Sequence, residues 1–194
     1  SELKLLFLMS QEQAQAFSRL VAAAEGGDGA AACLLGDMYR EALGGLRYSP
    51  KETYRWYAKS ALAGDANGQN NLGACYEHGL GCAQSYIKAV KWYRLAAAQG
   101  LAYASSNLGY CYWRGHGVGM DQSAALAWFE RALEQGDDRA KAMVEQLGGA
   151  VHSKRKVRFV DETEPGKNFG IVGIGGVARP DGNVSESGNT EERQ

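Results

Sequence analysis

The hydrophobic positions of this chain recur with a constant period. Tryptophan returns every 36 residues, tyrosine and glycine return every 36 or 37, and the recurring positions are Trp56, Trp92, Trp128, Tyr39, Tyr76, Tyr112, Gly64, Gly100 and Gly136. Unrelated residue types that hold one period predict a stack of identical supersecondary units, each too small to bury its own apolar face.

Each unit is predicted to be a pair of helices, of which the first carries the motif L-G-x-x-Y. Leu72, Gly73 and Tyr76 show it in the middle unit. Leucine and tyrosine four residues apart share one face of a helix. Glycine lowers helix stability, so its position beside them predicts the close approach of a partner helix.

The second helix of each unit has its own start and stop. Ser49, Ser85 and Asp121 recur as predicted N-caps, because each side-chain oxygen can accept a hydrogen bond from an unpaired backbone N–H. In the first unit Pro50 follows the cap, and Glu52 completes a predicted capping box. The helix is then expected to end at the recurring glycine.

These motifs resemble Sel-one-like repeats (SLR), a branch of the tetratricopeptide-like superfamily. The resemblance rests on L-G-x-x-Y, G-x-G and A-x-x-W-[YF]-x-x-A-x-x-x-G, which recur in register over residues 10–147. It implies an all-α fold, an α-solenoid (right-handed superhelix) of stacked antiparallel helix pairs with an irregular C-terminal tail. It also implies a concave face, lined by the first helix of each unit, and a role as a scaffold that binds other proteins.

Three parts of the chain are predicted from where the repeat begins and ends. Residues 1–27 form an N-terminal segment and capping helix, residues 28–147 form the SLR/TPR-like repeats, and residues 148–194 form a tail that is partly extended or disordered. The repeats divide into 28–64, 65–100, 101–136 and a final helix at 137–147. Glu145 stands at the position of the packed glycine, so the array is expected to stop at that helix.

Composition narrows the classes of partner and the compartment. A formal net charge of −1 gives no basic footprint for nucleic acid, and no apolar run is long enough to span a bilayer. Four cysteines without a dense framework indicate free thiols in a reducing compartment. The cytoplasm is therefore slightly favoured, while removal of a signal peptide would allow a periplasmic or secreted location.

The candidate binding residues are those on the first helices that point away from the L-G-x-x-Y stripe. Tryptophans at the repeated position are predicted to form the core between helices. Trp113 and Tyr110 break the repeat, which makes them either binding residues or packing at the end of the array. The predicted partner-binding residues of the concave face are Asn67, Asn70, Glu77, Tyr103, Ser106, Tyr110, Trp113 and Arg114. An ordinary solvated helix face is the alternative.

Metal binding and catalysis find little support in the sequence. Cys75, His78 and Cys82 supply only three ligands and no second half-site, so neither a metal nor a cofactor is expected. The three histidines lie in repeat turns and in the tail, away from any recognisable nucleophile motif. The chain is therefore predicted not to be an enzyme.

The tail raises two hypotheses of its own. Its sequence passes from a basic block into an acidic one, and Lys156, Val157 and Phe159 resemble the RVxF-type docking motif of protein phosphatase partners. The other hypothesis is that the tail packs into the concave groove until a partner displaces it.

The function predicted from these observations is a non-catalytic scaffold. It binds a protein or peptide through the concave face of the solenoid and is modulated by its own C-terminal tail, without nucleic acid or a membrane span. Two alternatives come from other classes. One is a hydrolase or cell-wall-associated SLR protein, and the other is a structural protein that self-assembles through its tail.

Overall fold

The structure, a computed structural model, describes residues 11–148. Within that range it contains only helices and turns, in the order α1 Gln11–Glu25, α2 Gly29–Arg40, α3 Pro50–Leu62, α4 Ala66–His78, α5 Tyr86–Ala98, α6 Ala102–Arg114, α7 Gln122–Glu134, a 3-10 turn Asp138–Ala140, and α8 Lys141–Gly148. Consecutive helices pack against each other, and the closest pairs are α2 with α3, α4 with α5, and α6 with α7. The predicted all-α solenoid of helix pairs is confirmed.

The glycine of each first helix packs directly against an aromatic ring of the second helix. A Cβ atom placed on Gly73 would lie 2.6 Å from Cε1 of Tyr93, and one on Gly109 would lie 2.7 Å from Cε1 of Phe129. Real Cβ atoms do not approach so closely, so only glycine fits at these positions. The close approach predicted from the L-G-x-x-Y motif is confirmed.

The repeated tryptophans pack in the core between helices, as predicted, and Trp56 is 4% exposed. The aromatic residue that follows each tryptophan is the fully buried one, with Tyr57 and Tyr93 1% exposed and Phe129 0% exposed. Trp92 and Trp128 are only partly buried, and each packs on a cluster built mainly from the preceding unit. Successive residues on a helix point about 100° apart, so one ring fills its own pair while the other contacts the neighbouring unit.

The second helices begin at the predicted caps. The side chains of Ser49, Ser85 and Asp121 accept hydrogen bonds from backbone N–H groups in the first turn. The capping box predicted for the first unit is only half formed. Ser49 accepts from the N–H of Glu52 at 3.3 Å, but the Glu52 carboxylate pairs with Arg55 at 3.0 Å. The backbone N–H of Ser49 donates to the Tyr39 carbonyl instead, at 3.2 Å.

The turn between the paired helices contacts the preceding unit. Gly117 has a φ of +73°, and a Cβ there would lie 2.8 Å from the backbone nitrogen of Ile87, at the start of α5. Gly81 occupies the equivalent position against Pro50 at the start of α3. The second glycine of the G-x-G motif is therefore required by stacking between units as well as by turn geometry.

The ends of the described array are formed by single helices. Helix α1 packs on α2 through Phe17, Leu20, Val21 and the buried Ala24, as expected of a capping helix. At the other end the predicted continuous helix is split into the 3-10 turn and α8, because the Asp137 side chain accepts from the backbone N–H of Arg139 and closes a tight first turn. Glu145 is exposed.

Several predictions concern residues outside the described range. Residues 149–194, which include Lys156, Val157 and Phe159, are among them, as are residues 1–10. Within the described range, no helix is both long enough and apolar enough to cross a membrane.

Replacement of Gly73 by alanine tests the contact on which the helix pair depends. The added methyl group must displace the ring of Tyr93, so Gly73→Ala is expected to lower the free energy of unfolding by about 2 kcal/mol. The matched control is Gly119→Ala, because a Cβ at Gly119 meets no atom within 4 Å. The control should change the free energy of unfolding by less than about 0.5 kcal/mol. Urea denaturation followed by circular dichroism measures both, and equal effects would contradict the packing role.

Candidate partner-binding surface

Helices α2, α4 and α6 lie side by side and form what we call the first-helix surface, the face expected to be concave. A row of side-chain hydrogen bonds crosses it. Nδ2 of Asn107 donates to Oδ1 of Asn70 at 2.8 Å, and Nδ2 of Asn70 donates to Oδ1 of Asn71 at 3.5 Å. Nδ2 of Asn71 then donates to Sγ of Cys33 at 3.6 Å. We call Asn70, Asn71 and Asn107 the amide row, which connects all three first helices.

The amide row ends at an open cavity between α2 and α4. The cavity has a volume of about 350 Å³, and its lining includes Leu34, Asp37, Arg40, Asn67 and Asn71. Leu34 is 50% exposed there, although it belongs to a helix with a buried opposite face. Arg40 pairs with Asp37 at 3.1 Å, so the charges of the lining are partly neutralised. The cavity therefore combines an apolar side chain, amides and a salt bridge.

Two of the acidic side chains on this surface have a structural role. The hydroxyl of Tyr93 donates to Oε2 of Glu77 at 2.6 Å, and the hydroxyl of Tyr57 donates to Oδ1 of Asp37 at 2.6 Å. Burial, together with these carboxylates, raises the pKa of both tyrosines. Each carboxylate thus satisfies a hydroxyl that points out of the buried helix interface. Glu77, predicted to bind a partner, is held by this hydrogen bond.

The third unit replaces this arrangement with aromatic packing. Its buried ring, Phe129, has no hydroxyl, and Trp113 stands at the position that Glu77 holds in the second unit. Tyr110 meets Phe129 edge to face at a centroid distance of 4.9 Å, and it meets Trp113 at 6.3 Å. Both are partly buried in the last core cluster. This contact explains why Tyr110 and Trp113 occur in only one unit.

Ser106 is a correction to the sequence-based prediction. We expected it on the accessible surface, but it is 3% exposed, and its hydroxyl donates to Oδ2 of Asp137 at 2.6 Å. Asp137 is 2% exposed and belongs to the turn after α7, which covers this part of α6. Helical spacing within α6 could not reveal that Ser106 is covered, because the covering residue, Asp137, lies after α7.

Asp137 is the centre of a polar cluster at this end. Nε and Nη2 of Arg139 donate to its two carboxylate oxygens at 2.8 and 2.9 Å. These hydrogen bonds lower the pKa of Asp137, and the hydroxyl of Ser106 adds to the effect. The Arg139 guanidinium also lies 4.1 Å from the centre of the Tyr103 ring. The cluster joins the turn to the first-helix surface.

The remaining predicted residues lie on accessible parts of the surface. Asn67 is exposed at the cavity, and Tyr103 is 52% exposed. Arg114 is exposed, and its guanidinium lies over the rings of Tyr110 and Trp113 at 5.6 and 5.5 Å. Arg139, Asn71 and Asn107 were not among the predicted partner-binding residues. The sequence did contain evidence for the amide row, because Asn71 and Asn107 recur 36 residues apart on neighbouring first helices.

Cys33, Cys75 and Cys82 belong to one apolar core cluster, which also contains Tyr57 and Leu72. Burial raises the pKa of Cys33 to about 11 and that of Cys75 and Cys111 to about 12, so these thiols stay protonated near neutral pH. Cys82 Sγ donates to the Cys75 carbonyl at 3.5 Å. Between residues 11 and 148 no group of three or more histidine, cysteine, aspartate or glutamate side chains could hold a metal ion.

The fold and this surface define a helical-repeat solenoid, and comparison with known families identifies the kind of repeat. The family model described as Sel1 repeat matches residues 29–65, 66–101 and 102–137, which together make up more than half of the chain. The chain belongs to the Sel1 repeat family. Proteins of this family generally mediate protein–protein interactions. No protein with a curated description matches the chain.

Solved structures show the same architecture. A Sel1 repeat protein from Oxalobacter formigenes is 39% identical in sequence, with a TM-score of 0.58. The matched region covers 62% of this chain and 47% of that protein. The protective antigen c5321 of uropathogenic Escherichia coli, described as displaying an SLR fold, is 34% identical, with a TM-score of 0.61 over 64% of this chain and 27% of its own. This chain therefore matches about half of the first protein and about a quarter of the second. Cysteine-rich protein B of Helicobacter pylori, 22% identical with a TM-score of 0.52 over 69% of this chain and 95% of its own, shows the fold alone.

Replacement of Asp137 by asparagine tests the polar cluster and its pH dependence. Loss of charge-assisted hydrogen bonds is expected to lower the free energy of unfolding by about 1–3 kcal/mol at neutral pH. The pKa of Asp137 is lowered in the folded state. Its contribution is therefore fully present above the ordinary aspartate pKa of about 3.9 and is lost as the pH falls through the lower folded-state pKa.

The difference between the wild type and Asp137→Asn should consequently shrink as the pH falls below about 4. Urea unfolding at a series of pH values measures it. The matched control is Asp138→Asn, which removes an exposed carboxylate from the next residue. A difference that stays constant down to acid pH would show that the carboxylate is not stabilised in the folded state.

Proposed function

We propose that the chain binds an extended peptide segment of a partner protein across the first-helix surface, without catalysing a reaction. The proposal is a finer form of the interaction role that is general in the Sel1 repeat family. The observation that carries it is the amide row, which lies on α4 and α6, is bonded to Cys33 of α2 and ends at the cavity between α2 and α4.

The chemistry of the amide row suits a peptide backbone. An asparagine amide has two N–H donors and two acceptor lone pairs. Within the row Asn70 and Asn71 each use one donor and one lone pair, and Asn107 uses one donor. The hydrogen bonds also fix the orientation of these side chains, which lowers the entropy cost of binding. Each asparagine can therefore still donate to and accept from a bound backbone.

Apolar and aromatic groups lie at both ends of the row. At one end Leu34 is 50% exposed beside a cavity of about 350 Å³, which has room for a side chain of the peptide. At the other end Tyr103 is 52% exposed. Tyrosine is enriched among the side chains that provide most of the affinity in interfaces, whereas backbone hydrogen bonds fix the direction and register of the peptide.

The double variant Asn71→Ala/Asn107→Ala tests the proposal. Peptides are first selected from a random dodecapeptide display library with the wild-type chain, and their affinities are then measured by fluorescence anisotropy. Each lost hydrogen bond is worth about 1 kcal/mol, so the double variant should bind roughly tenfold or more weakly.

The matched control for this experiment is Gln122→Ala, which removes an exposed amide from α7 and should leave the affinity unchanged. Circular dichroism checks that all variants are folded. If no peptide is enriched, or if the enriched peptides bind the double variant as well as the wild type, the proposed function is wrong.

The proposal includes the hypothesis that residues 150–194 compete with the partner for this surface. It rests on the sequence alone, because these residues lie outside the described range. Deletion of residues 150–194 should strengthen binding of the selected peptides, since a competing segment on the same chain acts at high effective concentration. Affinity that is the same with and without the tail would contradict the hypothesis.

A further inference from the structure

Arg139 is held in a fixed orientation at the α6 end of the first-helix surface. Its Nε and Nη2 atoms bond both oxygens of the buried Asp137 carboxylate at 2.8 and 2.9 Å. Its Cζ atom lies over the Tyr103 ring, 4.1 Å from the centroid. An arginine that is both paired and stacked loses little further freedom when it binds another group.

Three N–H donors of the Arg139 guanidinium have no hydrogen-bond partner among residues 11–148. The pair with Asp137 uses the N–H of Nε and one N–H of Nη2, and a guanidinium has five such donors. Two N–H groups of Nη1 and one of Nη2 are left, and they form a second fork. The Arg139 side chain is 64% exposed, and no second carboxylate of residues 11–148 is paired with it. This fork has the geometry that binds a carboxylate with two parallel hydrogen bonds.

A second arginine and two aromatic rings extend the same patch. Tyr103 and Tyr110 lie seven residues apart, two turns along one face of α6. Arg114 lies over the ring of Tyr110 at 5.6 Å and is exposed. Of the two rings, Tyr103 lies directly under the Arg139 guanidinium, and the Asp137 carboxylate raises the pKa of Arg139. We call Tyr103, Tyr110, Arg114 and Arg139 the arginine–tyrosine patch.

The two ends of the first-helix surface differ in charge. Asp137 is the one carboxylate paired with the arginine–tyrosine patch within the described residues, so two arginines leave an excess of positive charge. At the α2 end Asp37 and Asp65 line the cavity together with a single arginine, Arg40, which also pairs with Glu41 at 3.1 Å. A peptide that crosses the amide row would therefore meet a positive patch at one end and a negative one at the other.

We propose that the arginine–tyrosine patch binds an acidic side chain of the partner peptide, through the free fork of Arg139 with the support of Arg114. This inference rests on the proposed function and assigns an acidic peptide segment as its ligand. The carboxylate lies in the guanidinium plane, while Tyr103 and Tyr110 contact the apolar part of the neighbouring peptide residue. The position of the patch beyond Asn107 places the acidic residue at one end of the bound segment.

The experiment measures the coupling between an arginine of the protein and an acidic residue of the peptide. Dodecapeptides selected from the random library with the wild-type chain are sequenced, and the tightest is also synthesised with each glutamate or aspartate replaced by its amide. Affinities of parent and amide peptides are measured for the wild type, Arg139→Gln and Arg114→Gln. Arg19→Gln is the matched control, since it removes the same charge from an exposed position on α1.

The expected result is an enrichment of acidic residues among the selected peptides. Arg139→Gln should weaken binding of the parent peptide about tenfold or more, and Arg114→Gln should weaken it severalfold. One of the amide peptides should bind the wild type more weakly than the parent peptide does, by the same factor. Arg139→Gln should not weaken the binding of that amide peptide any further. Arg114→Gln keeps the test valid if Arg139→Gln lowers stability, because Arg114 has no carboxylate partner among the contacts of the described chain.

Three outcomes would overturn the inference, and they can be told apart. The inference is wrong if the selected peptides are not enriched in acidic residues. It is also wrong if their acidic residues do not couple to either arginine. Neither result contradicts the proposed function. In either case binding still depends on Asn71 and Asn107. Failure to select any peptide removes the proposed function and the inference together. An equal loss of affinity with Arg19→Gln would show a general charge effect and would also count against the patch.

Discussion

Each unit of this protein depends on the contact between a first-helix glycine and the aromatic ring that packs on it. The ring of Tyr93 lies so close to Gly73 that a methyl group there would be 2.6 Å from the ring, and the same contact is made by Phe129 and Gly109. The contact brings two helix backbones together and sets the rotation of each helix about its axis. Once that rotation is set, the opposite side of the first helix faces outward, and this side forms the first-helix surface. The position of the amide row is therefore a consequence of core packing.

Contacts between units then bring these outward faces together. Trp128 reaches the core of the preceding unit, and Gly117 allows the turn to press on the start of α5. Both contacts recur with the sequence period, so each first helix keeps the same position relative to the first helix of the next unit. That position lets Asn107 reach Asn70 across the gap between two helices. The recurring core leaves the exposed positions free to differ, which is why one end carries an acidic cavity and the other an arginine–tyrosine patch.

The candidate surface could be predicted only in part from the sequence. Helical spacing placed Asn67 and Arg114 on accessible positions, because that inference needs only the geometry of one helix. It was wrong for Ser106, which is covered by Asp137 from the following unit, and it missed Arg139 for the same reason. Glu77 was recognised as a residue of this face, but its bond to the buried Tyr93 depends on how the paired helix is rotated.

The sequence by itself determined the helix pairs, their number within the repeat region, the caps of the second helices and the glycines at which helices meet. These features are encoded locally or repeat with a fixed period, so they can be read without knowledge of distant contacts. The tertiary structure alone decided which aromatic of each pair is fully buried and which polar groups meet across units. It also decided which arginine guanidinium keeps N–H donors that are not paired within the described chain. Such features depend on side chains 20 to 40 residues apart in the chain, whose distance and orientation are set only when the helices have packed.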